Sequence, residues 1–244
     1  MKRVSLQPAY VLHRRPYRET SLLIELFTPE FGRFTAIARG VRKSRSPWAG
    51  LLQPFVPLLV SWVGKGELMT LSQAEAGGVA SNLQGECLFA GLYLNELLMY
   101  LLQKWDAHQG LFVAYQQTIT ALQAGKLEQK VLRSFEKYFL EELGYGLLPK
   151  SDVSLHNRFS PDQFYRFLPE QGFVLYSPAG DERQPDNVFS GKNLIAIAKE
   201  NWQDEACLLD AKRLMRFVFA PLLGAKTIYS RQLFMCKSEN KHEE

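Results

Sequence analysis

Leu22-Leu-Ile-Glu-Leu-Phe-Thr-Pro-Glu-Phe-Gly-Arg-Phe-Thr-Ala-Ile-Ala-Arg39 decides how the first third of this 244-residue chain folds. Its two ends, Leu22–Phe27 and Arg33–Arg39, carry the aliphatic and aromatic side chains that suit a pleated, half-buried surface. Between them Thr28-Pro-Glu-Phe-Gly32 supplies turn chemistry, because proline presets φ and glycine admits a left-handed backbone. The stretch predicts a β-hairpin. Outward from it, Tyr10–His13 reads as a preceding strand, and Leu58–Val63 with Leu68–Ser72 as a second hairpin across Gly64-Lys-Gly66. Pro54 and Pro57 belong at a strand entry or edge. Five short strands in about 75 residues suit a small, partly open barrel such as the OB-fold; an SH3-like barrel fits the same periodicity.

The hydrophobic period changes after Gly77-Gly78. Residues 86–103 place Leu88, Leu92, Asn95, Met99 and Leu102 on one helical face, with further apolar residues beside them, which predicts a central helix. A second helix is expected over about 110–124, ending near Gly125. A third covers about 128–143, with Leu132, Phe135, Phe139 and Leu143 as its buried stripe and Gly144 as its stop. From Leu147 to Asn187 the pattern weakens, except for a hairpin, Phe164–Leu168 and Phe173–Tyr176, around Pro169-Glu-Gln-Gly172. Helices follow over Gly191–Asn201, capped by Ser190, and about 204–220, ended by Pro221 and Gly224. The fold class is therefore α+β. A small N-terminal barrel (1–78) precedes a mainly helical domain with a short hairpin insertion (79–236, irregular over about 147–187), and residues 237–244 read as a disordered polar tail.

Composition narrows the function classes. The chain is 46% hydrophobic and 22% charged, ordinary for a globular protein. It has no apolar run approaching the roughly 20 residues of a membrane span. The N-terminus has no apolar stretch of signal-peptide length, so a soluble cytoplasmic protein is expected. Cys87, Cys207 and Cys236 lie far apart, with no histidine at ligand spacing, and predict no metal site. Gly224-Ala-Lys-Thr227 lacks the upstream glycine of a phosphate-cradling loop. No nucleophile elbow or zinc-protease helix occurs, and His13, His108, His156 and His242 are scattered. No catalytic residue and no cofactor are assigned.

Charge is distributed one-sidedly. Residues 1–66 contain eleven Lys/Arg against three acids, a net of +8, whereas the remainder is −4; Phe31 to Gly66 has no acid at all. Such asymmetry is the footprint of a polyanion binder. Arg39-Gly-Val-Arg-Lys-Ser-Arg-Ser-Pro-Trp48 offers Arg39, Arg42, Lys43 and Arg45 on a flexible backbone at the exit of a strand, as strand phosphates require. Its tryptophan fits the core better than a base. Arg14, Arg15, Arg18 and Arg33, with Lys65 in the second hairpin, extend the same face if their strands are neighbours. A solvated basic surface is the alternative. Two further sets are ambiguous between a ligand and solvent. Lys126, Lys130, Arg133 and Lys137 recur at helical spacing beside the apolar stripe of the third helix, as a ridge for an acidic peptide. Lys212, Arg213 and Arg216 offer a possible second basic surface.

Several segments together resemble the bacterial RecO family. These are Phe31-Gly-Arg-Phe-Thr-Ala-Ile-Ala-Arg-Gly-Val-Arg-Lys-Ser44, Leu52-Gln-Pro-Phe-Val-Pro57 and Gly64-Lys-Gly-Glu-Leu-Met-Thr-Leu71, then Gly91-Leu-Tyr-Leu-Asn-Glu-Leu-Leu98, Leu143-Gly-Tyr-Gly146, Leu223-Gly-Ala-Lys226 and Ser230-Arg-Gln-Leu-Phe234. The resemblance runs from about residue 9 to 235. It implies an N-terminal OB-fold followed by a helical domain. It also implies a recombination mediator that binds single-stranded and duplex DNA, anneals strands, and acts with RecR and RecF to load RecA onto DNA covered by single-strand DNA-binding protein. The acidic C-terminal tail of that protein would be the ligand of the third-helix ridge. The family's four-cysteine zinc module has no counterpart at 147–187, which points to the zinc-free, proteobacterial-type branch. In that role the chain would be cytoplasmic and associated with the nucleoid during repair.

If the basic N-terminal face neutralises roughly five phosphates of a single strand, log K should fall with log salt at a slope near about −3.5. A titration across salt concentrations checks this, and an affinity nearly independent of salt contradicts it.

Overall fold

The computed structural model describes residues 2–80, 82–149, 152–169, 171–177, 185–202 and 204–239. Five strands open the chain: β1 (Lys2–Tyr17), β2 (Ser21–Thr28), β3 (Gly32–Ala38), β4 (Leu58–Gly64) and β5 (Leu68–Ala76). They form a closed barrel in the order β1-β2-β3-β5-β4, with β1 returning to β4 and β3 running parallel to β5. This connectivity is OB-like. It is closed rather than partly open because β1 is far longer than the four residues its composition predicts. The Tyr10–Tyr17 half pairs with β2 and the Lys2–Ala9 half with β4. A register shift between Val4 and Gln7 bends it. There Leu6 takes φ +49, and its N–H donates to the Ser61 hydroxyl at 3.0 Å.

Alternate residues of these strands face inward, as period-two patterning requires. Ile24, Leu26, Phe34, Ala36, Val60 and Trp62 are buried together, with Phe31, Trp48 and Leu51 packed against them.

Two compact units divide the chain. The first runs through Leu127 and also takes in the stretch from Thr227. Besides the barrel it holds α1 (Gly85–Leu101), α2 (Gln109–Leu122) and α7 (Ser230–Glu239). Helix α1 packs against β1, α2 and α7, which explains its nearly all-round hydrophobicity. Its deepest face is Cys87, Ala90, Leu94, Leu97 and Leu98, rather than the expected Leu88, Leu92 and Met99, which are only half-buried. Gly91 is required by packing, since a Cβ there would lie 2.8 Å from both Leu83 and Phe55. Tyr10 and Phe27 from the barrel meet Phe112 and Tyr115 of α2 at tilted or edge-on angles, with ring centroids 5.1–6.2 Å apart. Beside them Asn95 is buried; its amide donates to the Leu12 carbonyl at 2.8 Å and accepts from the Tyr115 hydroxyl at 2.7 Å. Helix α7 lies where no helix is expected from sequence, because its composition is mostly polar. The expected disordered tail, 237–244, overlaps that helix over residues 237–239, and residues 240–244 lie outside the described residues.

The second unit, Glu128–Lys226, contains α3 (Gln129–Glu142), α4 (Asp152–Arg158), β6 (Phe164–Leu168), β7 (Gly172–Tyr176), β8 (Val188–Ser190), α5 (Gly191–Ala198) and α6 (Glu205–Leu223). The expected hairpin is β6–β7, and β8 adds to its other side in the order β7-β6-β8. Of the segment expected to be irregular, 147–187, the described residues include α4 as well as the hairpin, and residues 150, 151, 170 and 178–184 lie outside the described residues. Phe159, Tyr165, Phe167, Phe173 and Phe189 form an aromatic cluster that joins α4 to all three strands. Ser190 caps α5 as predicted, accepting from the Asn193 N–H at 3.2 Å. Pro221 does not end α6: it sits inside the last turn, and the helix stops at Gly224, with φ +54.

Asn95→Ala should remove the partners of two buried polar groups and lower stability by on the order of 2 kcal/mol, which shifts Tm down by about 4–8 °C. Tyr115→Phe should cost less in the same thermal melt, because Asn95 keeps its bond to the Leu12 carbonyl.

Candidate nucleic-acid interface

The Arg39–Arg45 loop is held by apolar residues at both ends. Val41 is 2% exposed and Leu52 fully buried in the barrel core, while Arg39, Arg42, Lys43 and Arg45 between and beside them are exposed. Successive turns carry the backbone: the Lys43 N–H donates to the Gly40 carbonyl and the Ser46 N–H to the Lys43 carbonyl, each at 3.2 Å. Arg45 takes φ +66. Trp48 packs on the core, consistent with the structural assignment its sequence context favoured.

The loop lies against the β1–β2 turn. The Arg42 N–H donates to the Thr20 carbonyl at 2.9 Å, and its guanidinium reaches the Arg18 carbonyl at 3.2 Å. Arg18 is exposed in that turn, and Arg14 and Arg15 are exposed on the adjoining part of β1. Seven of the nine cations expected on the DNA face are thus brought to one end and flank of the barrel: Arg14, Arg15, Arg18, Arg39, Arg42, Lys43 and Arg45.

The other two are placed differently. Arg33 points into a polar network on the barrel wall: it ion-pairs with Glu25 at 2.9 Å and donates to the Leu102 carbonyl at 3.0 Å, with its side chain only 12% exposed. Its charge is already neutralised. Lys65 is exposed in the β4–β5 turn, beside Phe31 of the β2–β3 turn, at the far end of β2 from Arg18.

The third-helix ridge is not one exposed face. Arg133 is 5% exposed and ion-pairs with Glu136, 1% exposed, at 2.8 Å. Lys137 donates to the Ala198 carbonyl at 2.9 Å and to Glu200 at 3.0 Å. Lys130 pairs with Glu128 at 2.7 Å, and Lys126, exposed, precedes the helix. Geometry instead joins part of this set to the α6 cations. Lys212 has its pKa lowered, first by burial and then by Arg216 and Arg133, with Glu136 opposing. Lys212, Arg213 and Arg216 line a groove together with Leu209, which is 57% exposed, and Arg213 is tied to Asp210 at 2.8 Å. Sequence spacing along one helix cannot reveal this pairing of α3 with α6.

Neither thiol among the described side chains is a reactive centre. Cys87 and Cys207 are buried, and burial pushes both thiols up, Cys207 to about 11. Among the described residues no group of three or more His, Cys, Asp and Glu is arranged to hold a metal ion, and no helix is long and apolar enough to cross a membrane.

Residues 1–78 match the family described as "Recombination protein O N terminal", and residues 83–194 match "Recombination protein O C terminal". The chain belongs to the RecO family. Among its relatives is a protein of Coxiella burnetii (strain RSA 331 / Henzerling II), named DNA repair protein RecO; it is 47% identical over 232 residues, covering 95% of this chain and 98% of the relative. Proteins of the same name from Dechloromonas aromatica (strain RCB) and Pseudomonas aeruginosa (strain LESB58) are 45% identical over 235 residues and 42% identical over 244. The first of these alignments covers 95% of this RecO-family chain and 96% of its relative; the second covers both chains completely.

Arg133→Ala should remove the cation 2.8 Å from the buried Glu136 carboxylate and destabilise the fold, by less than the about 3–5 kcal/mol of a fully stranded charge because Lys212 on α6 also attracts Glu136. The double variant Arg133→Met with Glu136→Leu should regain most of that loss in urea unfolding. A single variant that is stable but defective in binding an acidic peptide contradicts the structural role.

Proposed function

We propose that this chain acts in DNA repair as a non-catalytic mediator that binds single-stranded DNA through the Arg39–Arg45 loop and the adjoining β1–β2 turn, and anneals complementary strands. The observation that carries this reading is the cation loop itself, anchored by Val41 and Leu52 so that its charges project without burying any of them. Its pairing with the Arg18 turn supports one continuous strip. Phosphates held on such a strip lose their mutual repulsion, so two strands are brought together at little electrostatic cost while their bases stay free to pair. The same surface accepts duplex. By family membership the reading extends to loading RecA onto DNA coated with single-strand DNA-binding protein, with RecR and RecF as partners, in the cytoplasm at the nucleoid.

A second site is favoured by the α3/α6 cluster. Lys212 and Arg216 line a groove there beside Leu209, which is 57% exposed, while Arg133 stays buried against Glu136. An acidic tail ending in an apolar residue, such as that of single-strand DNA-binding protein, would meet these cations and cover the leucine.

Replacing Arg39, Arg42, Lys43 and Arg45 with glutamate should abolish annealing and flatten the salt slope by about 2–3, with the far-UV spectrum unchanged. Retained annealing moves the site elsewhere. Incubation with labelled DNA, Mg²⁺ and ATP should show neither cleavage nor hydrolysis.

A further inference from the structure

The far end of the barrel carries a cleft of about 620 Å³, within the roughly 300–1,000 Å³ range of small-molecule sites. Its floor is Trp62, 2% exposed, and Phe31 meets that indole edge-on at 5.2 Å. Its wall is Trp105 from the α1–α2 connection, whose ring stacks on Phe34 at 4.6 Å and 14° while 36% of the residue stays exposed. Lys65 is the cation of the lining and Glu30 its acid.

Trp105 is displayed at a conformational cost. Its φ is +63, a left-handed conformation unfavourable for a bulky side chain. Several contacts fix it there. The Trp105 N–H donates to the Arg33 carbonyl at 2.9 Å, the Arg33 guanidinium donates to the Leu102 carbonyl at 3.0 Å, and Lys104 Nζ donates to the Thr35 hydroxyl at 2.8 Å. Gly32 lets the connection close, because a Cβ there would lie 1.8 Å from the Asp106 carbonyl oxygen. Strain held in place by so many contacts is characteristic of ligand sites.

We propose that this cleft holds one unstacked nucleobase of single-stranded DNA, with Trp105 as stacking platform and Lys65 taking the adjoining phosphate. The inference rests on the DNA-binding reading above and adds a second, base-contacting point at the opposite end of β2. An aromatic wall beside a single cation complements a base linked to a phosphate, and stacking tolerates any base. Glu30 keeps phosphate to the Lys65 side and leaves an acceptor for a base edge. Duplex bases are already stacked on one another, so the cleft favours single strands.

Irradiating the full chain with a short oligothymidylate carrying one 5-iodouracil should yield a covalent adduct on Trp105 or Phe31. Trp105→Ala should weaken oligothymidylate binding about tenfold with duplex affinity unchanged, and Trp105→Phe should restore most of it. Adducts only outside the cleft, or equal losses for single strand and duplex, overturn the proposal. A wild-type affinity without salt dependence instead defeats the phosphate reading. Salt-dependent wild-type binding that Trp105→Ala leaves intact defeats the cleft alone.

Discussion

Backbone hydrogen bonding around the barrel is the constraint on which the first compact unit depends. A five-stranded sheet left open would expose two rows of unsatisfied N–H and C=O groups. Here β1, sixteen residues long, pairs with β2 through one half and β4 through the other, and parallel pairing of β3 with β5 closes the remaining gap. The bend at Leu6 makes this double pairing possible. Once the barrel closes, its interior must be apolar, so side chains that carry charge are driven to the turns or to neutralising partners on the wall.

That sorting separates the cations by role. Arg39, Arg42, Lys43 and Arg45 sit in a connection whose apolar ends are drawn into the core, so the charged middle is pushed outward at no desolvation cost. Arg33 belongs to a strand and cannot escape the wall; Glu25 and the Leu102 carbonyl compensate its partial burial. The same bonds that neutralise it also seat the α1–α2 connection, and with it Trp105, over the β2–β3 turn. A charge neutralised on the barrel wall thus becomes a support for an aromatic surface.

In the second unit, one buried ion pair orders the local electrostatics. Arg133 and Glu136 are both nearly inaccessible, and the Arg133 charge reaches Lys212 on α6, helping to lower its pKa. Such a pair is costly to break because each partner would stay buried with its nearest opposite charge removed. The exposed Leu209 and Arg216 beside it are where added negative charge would be welcome.

Periodicity and turn chemistry in the sequence determined much: the five strands, helices α1 to α3, the β6–β7 hairpin, the Ser190 cap and the acid-free basic segment. These are local properties, set by alternation, by glycine and proline, and by side-chain oxygens near helix starts. Short or polar elements such as α4, β8 and α7 escaped because their stability comes from neighbours rather than from their own pattern. Whether the barrel was OB-like or SH3-like was likewise undecidable locally, since strand order depends on which distant backbones pair. Tertiary structure alone decided which cations are free. Arg33 and Arg133 look like their exposed neighbours in sequence, and only burial beside Glu25 and Glu136 distinguishes them. It alone also brought Phe31, Trp62, Lys65 and Trp105 to one cleft, because residues so far apart in the chain meet only when the barrel closes.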